Sequence, residues 1–383
     1  MNILIGVTGS IAIYKTLELI RLFVKNGDNV KVIMTKSAEK FITPLTFESL
    51  TNNKVLTEDT ESWANEYNHI DIGKWADIFI IAPATANTIN KLNAGIADNL
   101  LTQTYLAFSK EIIIAPAANT NMYLHPTTQN SLKNLPHHII EANSGLLACG
   151  DEGIGKMADI NDIFYKAQQI LNKDNFWENK NVIVTAGGTI EKIDDVRFIS
   201  NFSSGKMGEN LALTLYLAGA NVTLLSSKNH NLPKEIQIIN FESVKDLKEK
   251  LDFLTPKNEY LFMAAAVSDY SPIPVNGKIK KDMLNSDIWE LKLHKNIDIL
   301  ASIKGIKKIG FKAETDEVNG LNSAKKALIS KNCDAICFNL LTKNNFGSDE
   351  NEVIFITKDK EIKFPQNSKF EIAKMIIKAS KDV

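Results

Sequence analysis

Short apolar runs rich in Val, Ile and Leu recur along the first half of the chain, separated by stretches with helical periodicity. Strands that are buried on both faces give continuous apolar runs rather than alternating ones, so this order predicts a mostly parallel sheet flanked by helices. The predicted strands of this half cover residues 2–7, 29–34, 77–82 and 111–117.

The same pattern starts again after a helix-like stretch that begins at residue 160. The run "NVIVTAGGT" (181–189) is its first strand, and further strands are predicted at 221–226, 236–240, 259–265, 307–311, 334–338 and 352–357. We therefore predict an α/β protein with two doubly wound domains, residues 1–175 and residues 176–383.

Composition narrows the class of protein. With 383 residues, 44% hydrophobic residues and a formal charge of −1, the chain is typical of a soluble protein and indicates neither nucleic-acid nor membrane binding. No apolar run reaches the roughly 18 to 20 residues of a membrane span, and the N-terminus lacks the order of a signal peptide. We expect a cytoplasmic protein.

The three cysteines predict neither a disulfide framework nor a zinc site. Cys333 and Cys337 lie in "KNCDAICFN", which alternates like a strand, and are expected to be buried small hydrophobes. Cys149 differs, because it lies in the glycine-rich run "GLLACGDEGIGKM" (145–157), which is unsuited to a core.

The first predicted strand leads directly into a glycine-containing turn and an amphipathic helix, in "GVTGSIAIYKTLELIRLF". Gly6 and Gly9 permit close backbone approach, Ser10 offers a hydroxyl, and the N–H groups of the helix start favour an anion. The spacing is neither GxGxxG nor a Walker loop, so a phosphate site and a plain strand-to-helix turn both remain open.

Other strand ends are also polar. The segments "TKSA" (35–38), "APATANTINKLNAGIADNLL" (82–101) and "APAANTNMY" (115–123) are rich in Asn, Thr, Ala and Gly. Ligands of open α/β sheets collect at the carboxyl ends of the strands, so these segments are expected to contact one polar ligand.

Taken in order, "GVTGSIAIYK", "HIDI", "PATANTINKLNAGIADNL", "PAANTNMY" and "ACGDEGIGKM" resemble the phosphopantothenoylcysteine decarboxylases, flavoproteins of coenzyme A biosynthesis. The resemblance implies a flavodoxin-like domain with FMN. It also implies oxidation of the substrate thiol to a thioaldehyde, loss of carbon dioxide, and reduction of the resulting enethiol. The implied FMN-binding residues are Gly9, Ser10, Ile11, Thr35, Ala38, Ala84, Thr85, Asn87, Ala97, Asp98 and Met122.

The same resemblance implies three catalytic residues: His69 as the base, Asn119 as the holder of the substrate carboxylate, and Cys149 as the final proton donor. The residue types suit these tasks, since imidazole titrates near neutrality and an ordinary thiol still carries its proton there. The glycines around Cys149 are interpreted as hinges of a flap over the substrate. Lys156 replaces an arginine common in this motif, and its role stays open.

In the second half, "VTAGGTIEKIDDVRFISNFSSGKMG" (184–208) again places glycine-rich and serine-rich turns beside a strand and a helix. A P-loop is excluded because Met207 follows the lysine of "SSGK" where Ser or Thr is required. The segment resembles the phosphopantothenate–cysteine ligases, as do "AAAVSDY", "KIKK", "NIDIL", "GFKAET" and "FGSDENEV" further along.

This second resemblance implies a Rossmann-like domain that uses CTP to activate 4′-phosphopantothenate as an acyl-cytidylate, which cysteine then attacks. Asn201 and Arg197 are implied to hold the acyl phosphate and carboxylate, and Lys280 the triphosphate. The full implied set is Asn201, Arg197, Ser204, Lys206, Ala264, Ala265, Ala266, Asp269, Lys278, Lys280, Lys281, Ile297, Asp298, Ile299, Leu300, Phe311, Lys326 and Lys331. Mg²⁺ is expected with CTP, from ligands that the sequence does not identify.

Several positions depart from the ligase pattern: Ile190, Asp195 and Ile297 replace an Arg and two Pro, and Lys312 stands where Ala is usual. These changes leave the choice between CTP and ATP open. The family also implies trimeric flavin domains and dimeric ligase domains, and hence a homo-oligomeric dodecamer.

Two alternatives compete with a bifunctional enzyme. A flavin-binding regulatory or scaffold protein of the same fold could have lost His69, Asn119 or Cys149, but this chain has all three. An oxidative decarboxylase of peptidyl cysteine would leave residues 178–383 without a role.

Overall fold

In a computed structural model of the chain, the described residues are 1–64, 67–148, 150–280, 288–340, 342 and 347–383, with only the backbone described at 317 and 318. The chain forms two compact units, Met1–Leu171 and Asn172–Val383.

The N-terminal unit alternates strands and helices. Its elements are β1 (Asn2–Val7), α1 (Ile13–Lys25), β2 (Asn29–Met34), α2 (Pro44–Thr51), α3 (His69–Trp75), β3 (Ile78–Ala84), α4 (Ala86–Ala94), α5 (Leu100–Ala107), β4 (Glu111–Pro116), α6 (Thr120–Leu124), α7 (Pro126–Asn134), β5 (His138–Ile139), β6 (Asn143–Leu146), β7 (Glu152–Lys156) and α8 (Ile160–Asn172).

Five of these strands form a parallel sheet in the order β2-β1-β3-β4-β5. This is the doubly wound order of flavodoxin-like folds, in which ligands bind at the carboxyl edge. Strand β3 is buried at every position, which explains its uninterrupted apolar sequence. Strands β6 and β7 form a separate antiparallel hairpin.

The C-terminal unit repeats the α/β plan on a larger sheet. Its elements are β8 (Asn181–Ala186), β9 (Ile190–Lys192), β10 (Phe198–Ser200), α9 (Lys206–Leu217), β11 (Asn221–Ser226), β12 (Gln237–Asn240), α10 (Val244–Leu254), β13 (Tyr260–Met263), β14 (Tyr270–Pro272), β15 (Leu293–Lys295), α11 (Ile299–Ser302), β16 (Lys307–Glu314), α12 (Glu317–Ser330), β17 (Ala335–Leu340), β18 (Glu350–Ile356), β19 (Glu361–Ser368) and α13 (Lys369–Ala379), with 3₁₀ turns at Thr255–Lys257 and Ser380–Asp382.

The eight-stranded sheet has the order β12-β11-β8-β13-β16-β17-β18-β19. Pairing is parallel from β12 to β17 and antiparallel for the last two strands. From β8 the chain continues through β11 to β12 at one edge of the sheet, and from β13 it continues through β16 and β17 toward the other edge. The crevice between the carboxyl ends of β8 and β13 is therefore the topological switch point where ligands of such sheets bind.

The predicted α/β class with two doubly wound domains is confirmed. Both Cys333 and Cys337 are buried, as expected, and burial raises the pKa of the Cys333 thiol to about 11. The pattern of apolar runs missed β5, β19 and the three antiparallel pairs β6–β7, β9–β10 and β14–β15, because short or exposed strands carry little hydrophobic signal.

Candidate functional site

The turn after β1 is built for close backbone approach. The hydroxyl of Thr8 donates to the carbonyl of Pro83 at 2.6 Å and accepts from the N–H of Thr85 at 3.0 Å, which ties the ends of β1 and β3 together. A Cβ on Gly9 would lie 2.6 Å from that of Ser37, so this position requires glycine. Helix α1 begins without a side-chain cap at Ala12. Its N-terminal N–H groups thus suit an anionic ligand.

The residues implied for FMN lie at one edge of the first sheet. Most of them end or follow β1, β2, β3 and β4, which are neighbours in the sheet order, whereas Ala97 and Asp98 lie between α4 and α5. The buried side chains among them are small, Ala38 and Ala84, whereas Ile11 and Met122 expose more than half of theirs. An uncapped helix start, a required glycine and exposed apolar side chains fit a phosphorylated cofactor with a flat apolar ring.

His69 is the first residue of α3, and Asn68 caps that helix by accepting from the N–H groups of Ile70 and Asp71. The ring Nδ1 of His69 lies 2.8 Å from Oε1 of Glu61. Sequence reasoning missed Glu61, because an acidic residue eight positions before a histidine gives no motif.

Asn119 caps α6 by accepting from the N–H of Asn121 at 2.9 Å. The β6–β7 hairpin lies against this segment, since the N–H of Ala118 donates to the carbonyl of Gly155 at 3.0 Å. A Cβ on Gly155 would come within 2.2 Å of the Ala118 oxygen, and one on Gly153 within 2.3 Å of the Thr120 hydroxyl.

The hairpin changes how the glycines of "GLLACGDEGIGKM" are interpreted. Gly153 and Gly155 are required by close packing on the Asn119 segment, and the interpretation of the glycines as hinges stays a prediction. Cys149 lies outside the described residues. Lys156 is exposed in β7 near Lys15, and burial and then the charge of Lys156 lower the pKa of Lys15.

The C-terminal unit contains a cavity of about 530 Å³ at the carboxyl ends of β13, β16 and β17 and at the start of α9. This is the switch point of the larger sheet. Thirteen of the residues implied for the nucleotide and substrate line it: Asn201, Ser204, Lys206, Ala264, Ala265, Ala266, Asp269, Ile297, Asp298, Ile299, Leu300, Phe311 and Lys331.

Four other implied residues do not line this cavity: Arg197, Lys278, Lys280 and Lys326. Lys281 lies outside the described residues. The side chain of Asn201 is held over the end of β13, because its Nδ2 donates to the carbonyl of Ala266 at 3.2 Å.

Arg197 makes contacts elsewhere in the unit. Its guanidinium binds the buried carboxylate of Asp194, donates through Nη2 to the carbonyl of Ile279 at 2.6 Å, and lies 4.6 Å from the ring centroid of Trp289. Its hydrogen bonds, with those from backbone N–H groups, hold the pKa of Asp194 well below its usual range. Arg197 therefore anchors the segment that carries Lys278 and Lys280.

Two further lysines line the cavity, Lys312 and Lys369. Lys369 begins α13, and its ammonium donates to the carbonyl of Ser348. Lys206 begins α9 and contacts Asp349 at 2.6 Å. Burial, and then the charge of Lys206, lower the pKa of Lys369. Two cations at two helix starts thus converge on this wall, which suits a polyphosphate.

Asn351 adds a polar group to the same cavity. It is 6% exposed, and its Oδ1 has no hydrogen-bond partner among the described residues. A buried amide oxygen without a partner is costly, so a bound ligand or water is expected to satisfy it.

The wall formed by residues 298–303 depends on Lys308. This buried ammonium donates to the carbonyls of Leu300, Ile303 and Lys331 at 2.7–2.9 Å, which uses its three N–H groups. Burial lowers its pKa. Asp298 caps α11 and forms an ion pair with Lys331 at 3.0 Å.

Among the described residues, no group of three or more His, Cys, Asp or Glu side chains is arranged to hold a metal ion. No described helix is both long and apolar enough to cross a membrane.

Comparison with known proteins matches residues 1–172 to the family "Flavoprotein" and residues 177–382 to "DNA/pantothenate metabolism flavoprotein C-terminal domain". The chain is 38% identical to the coenzyme A biosynthesis bifunctional protein CoaBC of Borreliella burgdorferi, over 98% of both chains. It is 39% identical to the protein of that name from Haemophilus influenzae, over 97% of this chain and 95% of the other. A cysteine/cysteine sulfinic acid decarboxylase of an unknown prokaryote is 38% identical over 88% of this chain and 98% of its own.

Proposed function

The chain belongs to the family of coenzyme A biosynthesis bifunctional proteins, and we propose that its two units catalyse consecutive reactions of that pathway. Residues 176–383 ligate 4′-phosphopantothenate to cysteine with CTP. Residues 1–175 then decarboxylate the product, phosphopantothenoylcysteine, to 4′-phosphopantetheine. The observation that carries the proposal is the cavity at the switch point, which is lined by the cations Lys206, Lys331 and Lys369 and by the amide of Asn201.

In the ligase unit, the substrate carboxylate attacks the α-phosphate of CTP, and pyrophosphate leaves. Lys206, Lys331 and Lys369 lie where cations would stabilise the charge on the phosphates, assisted by Mg²⁺. Asn201 offers its amide beside Ala266, where the acyl group would be held. The amine of cysteine then attacks the acyl carbon, and CMP leaves.

In the flavin unit, FMN would be held by the turn after β1 and by the strand ends beside it, with its phosphate at the start of α1. When bound, FMN supplies two-electron oxidation and the later reduction of the substrate. His69 accepts the proton of the substrate thiol, and Asn119 binds the carboxylate that is lost as carbon dioxide. Cys149 supplies the proton for the last reduction.

The assembly proposed for the chain is a homo-oligomer built from flavin trimers and ligase dimers, which closes as a dodecamer. Exposed apolar side chains support contacts between copies. Val196, Phe198 and Phe202 expose 57–88% of their surface in the C-terminal unit, and Phe41 and Leu45 expose 47% and 68% in the N-terminal unit. Native mass spectrometry of the purified protein tests this assembly.

The activity is tested by mixing purified protein with 4′-phosphopantothenate, cysteine, Mg²⁺ and either CTP or ATP, and following the products by mass. Phosphopantothenoylcysteine and then 4′-phosphopantetheine are expected with CTP. The absence of phosphopantothenoylcysteine with either nucleotide would exclude the ligase.

A second arm contains cysteine without 4′-phosphopantothenate, because one relative carries the name of a cysteine/cysteine sulfinic acid decarboxylase. We expect no cysteamine there. Cys149→Ser is expected to bind FMN and release carbon dioxide but to stall before the final reduction, so that a normal yield of phosphopantetheine would remove Cys149 from the mechanism.

A further inference from the structure

The backbone of His69 is fixed by its helix cap. Asn68 is 1% exposed, accepts from the N–H groups of Ile70 and Asp71 at 3.0 and 2.9 Å, and donates from Nδ2 to the carboxylate of Asp71 at 2.7 Å. A cap of this kind holds the first turn of α3 in place. The remaining freedom of His69 is the orientation of its ring.

The ring of His69 is bounded on two sides by the loop that precedes α3. Oε1 of Glu61 lies 2.8 Å from Nδ1, and the indole of Trp63 meets the imidazole edge-on, with centroids 5.4 Å apart. The side chains of Glu61 and His69 are only 24% and 21% exposed.

The loop itself is held by backbone hydrogen bonds. The N–H of Glu61 donates to the carbonyl of Thr57 at 3.1 Å, and the N–H of Ser62 donates to the carbonyl of Tyr67 at 2.8 Å. These bonds on both sides of Glu61 present its carboxylate to His69 from a defined position.

When the Glu61 carboxylate accepts this hydrogen bond, Nδ1 of His69 is the donor, and in the neutral imidazole Nε2 then has the lone pair. We propose that Glu61 is the positioning residue of the decarboxylase base, which selects the tautomer and ring orientation in which Nε2 faces the substrate thiol. This inference rests on the proposed function of the N-terminal unit.

The proton transfer balances within this pair. The thiol proton moves to Nε2, leaving a substrate thiolate and an imidazolium whose positive charge the Glu61 carboxylate compensates at Nδ1. The same logic relates carboxylate, imidazole and nucleophile in hydrolytic triads. Carboxylates that orient metal-bound imidazoles contribute about 10–100-fold to activity, and we expect an effect of similar size here.

The chain offers a matched control. Glu111 and His138 form a second carboxylate–imidazole contact at 3.0 Å in the same unit, but their side chains are 62% and 37% exposed. Exposed pairs of this kind contribute little, so Glu111→Leu is expected to leave the reaction unchanged.

Turnover is measured on the FMN-loaded full chain with phosphopantothenoylcysteine as substrate. Glu61→Leu is expected to lower kcat about 10–100-fold with KM changed less than about threefold, while its flavin absorbance and melting temperature match those of Glu111→Leu. In a His69→Gln background, Glu61→Leu is expected to lower kcat no further, because the residue acts through the imidazole. A wild-type kcat for Glu61→Leu, or a full additional loss in the double variant, would overturn the proposal.

A measurement that needs no turnover separates this inference from the proposed function. Magic-angle-spinning NMR of protein labelled with ¹⁵N-histidine resolves the ring tautomers, and the His69→Gln spectrum assigns the signal among the six histidines. We expect hydrogen on Nδ1 of His69 in the wild type and on Nε2 in Glu61→Leu. The same tautomer in both proteins would refute the role of Glu61, whereas an inactive wild type with the expected tautomers would refute only the proposed function.

Discussion

Arg197 donates to the backbone carbonyl of Ile279, which lies 82 positions further along the chain, at 2.6 Å. It also stacks on Trp289, so it contacts residues on both sides of the segment 280–288. Lys280 is exposed and outside the cavity lining. We propose that Arg197 acts on the triphosphate through the segment that carries Lys280.

We predict that Arg197→Lys raises the KM for CTP about tenfold and leaves the KM for 4′-phosphopantothenate nearly unchanged. A lysine keeps the charge but cannot bind Asp194 and Ile279 together through one planar fork. Steady-state kinetics of the ligase reaction measures both constants. In a Lys280→Met background, Arg197→Lys should add little. A selective rise in the KM for 4′-phosphopantothenate would instead indicate direct contact with the substrate carboxylate.

The Asp194 carboxylate is expected to make the folding stability of the C-terminal unit depend on pH in the acidic range. Its folded-state pKa is lowered by Arg197, so its contribution to stability is full above the ordinary aspartate range near pH 4 and is lost as pH falls toward the folded-state pKa. Asp194→Asn should therefore be less stable than the wild type at pH 7, and this difference should shrink steadily between pH 5 and pH 3. Urea unfolding followed by circular dichroism across this range measures the difference. A constant gap would contradict the linkage.

We predict that Lys369 contributes to nucleotide binding but lowers the stability of the protein without nucleotide. Because burial lowers its pKa, the charged form is disfavoured in the folded state at every pH below that value, and this penalty disappears only as pH rises through the folded-state pKa toward the unfolded value. Lys369→Met should therefore keep or raise the melting temperature at pH 7, and raise the KM for CTP about tenfold through loss of a charge-assisted contact.

Lys374 is the control for that variant. It lies on the same helix, pairs with Glu371 at 2.7 Å on the surface and does not line the cavity. Lys374→Met should change neither value. An unchanged KM in Lys369→Met would remove Lys369 from the nucleotide site.

The packing of β7 on the Asn119 segment yields a prediction for the flavin unit. Gly155→Ala places a methyl group against the Ala118 carbonyl and strains a backbone with φ of 138°. The hairpin must then move away from Asn119, and displacements of about 1 Å can cost about 100-fold in rate. We expect a loss of that size in decarboxylase kcat with FMN retained, as measured by carbon dioxide release and flavin absorbance.

Gly145 isolates the effect of packing from that of backbone strain. Its φ of 145° resembles that of Gly155, but its nearest neighbour to an added Cβ is a lysine methylene at 3.8 Å. Gly145→Ala should lose much less activity. Equal losses in the two variants would show that strain, and not contact with Ala118, is what matters.

The strands with long apolar runs were predictable from sequence because a strand that is buried on both faces has apolar residues at successive positions, as in β3. Thirteen of the eighteen residues implied by the resemblance to the ligases line the cavity. Lys369 could not be found in this way, since it reaches the cavity only because β18 and β19 return antiparallel and start α13 beside α9. Glu61 and the close contacts of Gly155 likewise depend on tertiary proximity that no local pattern encodes.

Lys308 donates to three carbonyls from two separate segments, so the wall of the proposed nucleotide cavity and the end of α12 should open and close as one cooperative unit. Amide hydrogen exchange in residues 299–303 and 329–333 should accordingly slow together when CTP binds, although most of these residues do not touch the nucleotide. In Lys308→Met the two segments should exchange independently. Binding of CTP in the cavity would then change the local stability of the end of α12, although Lys308, which connects the two segments, stays buried.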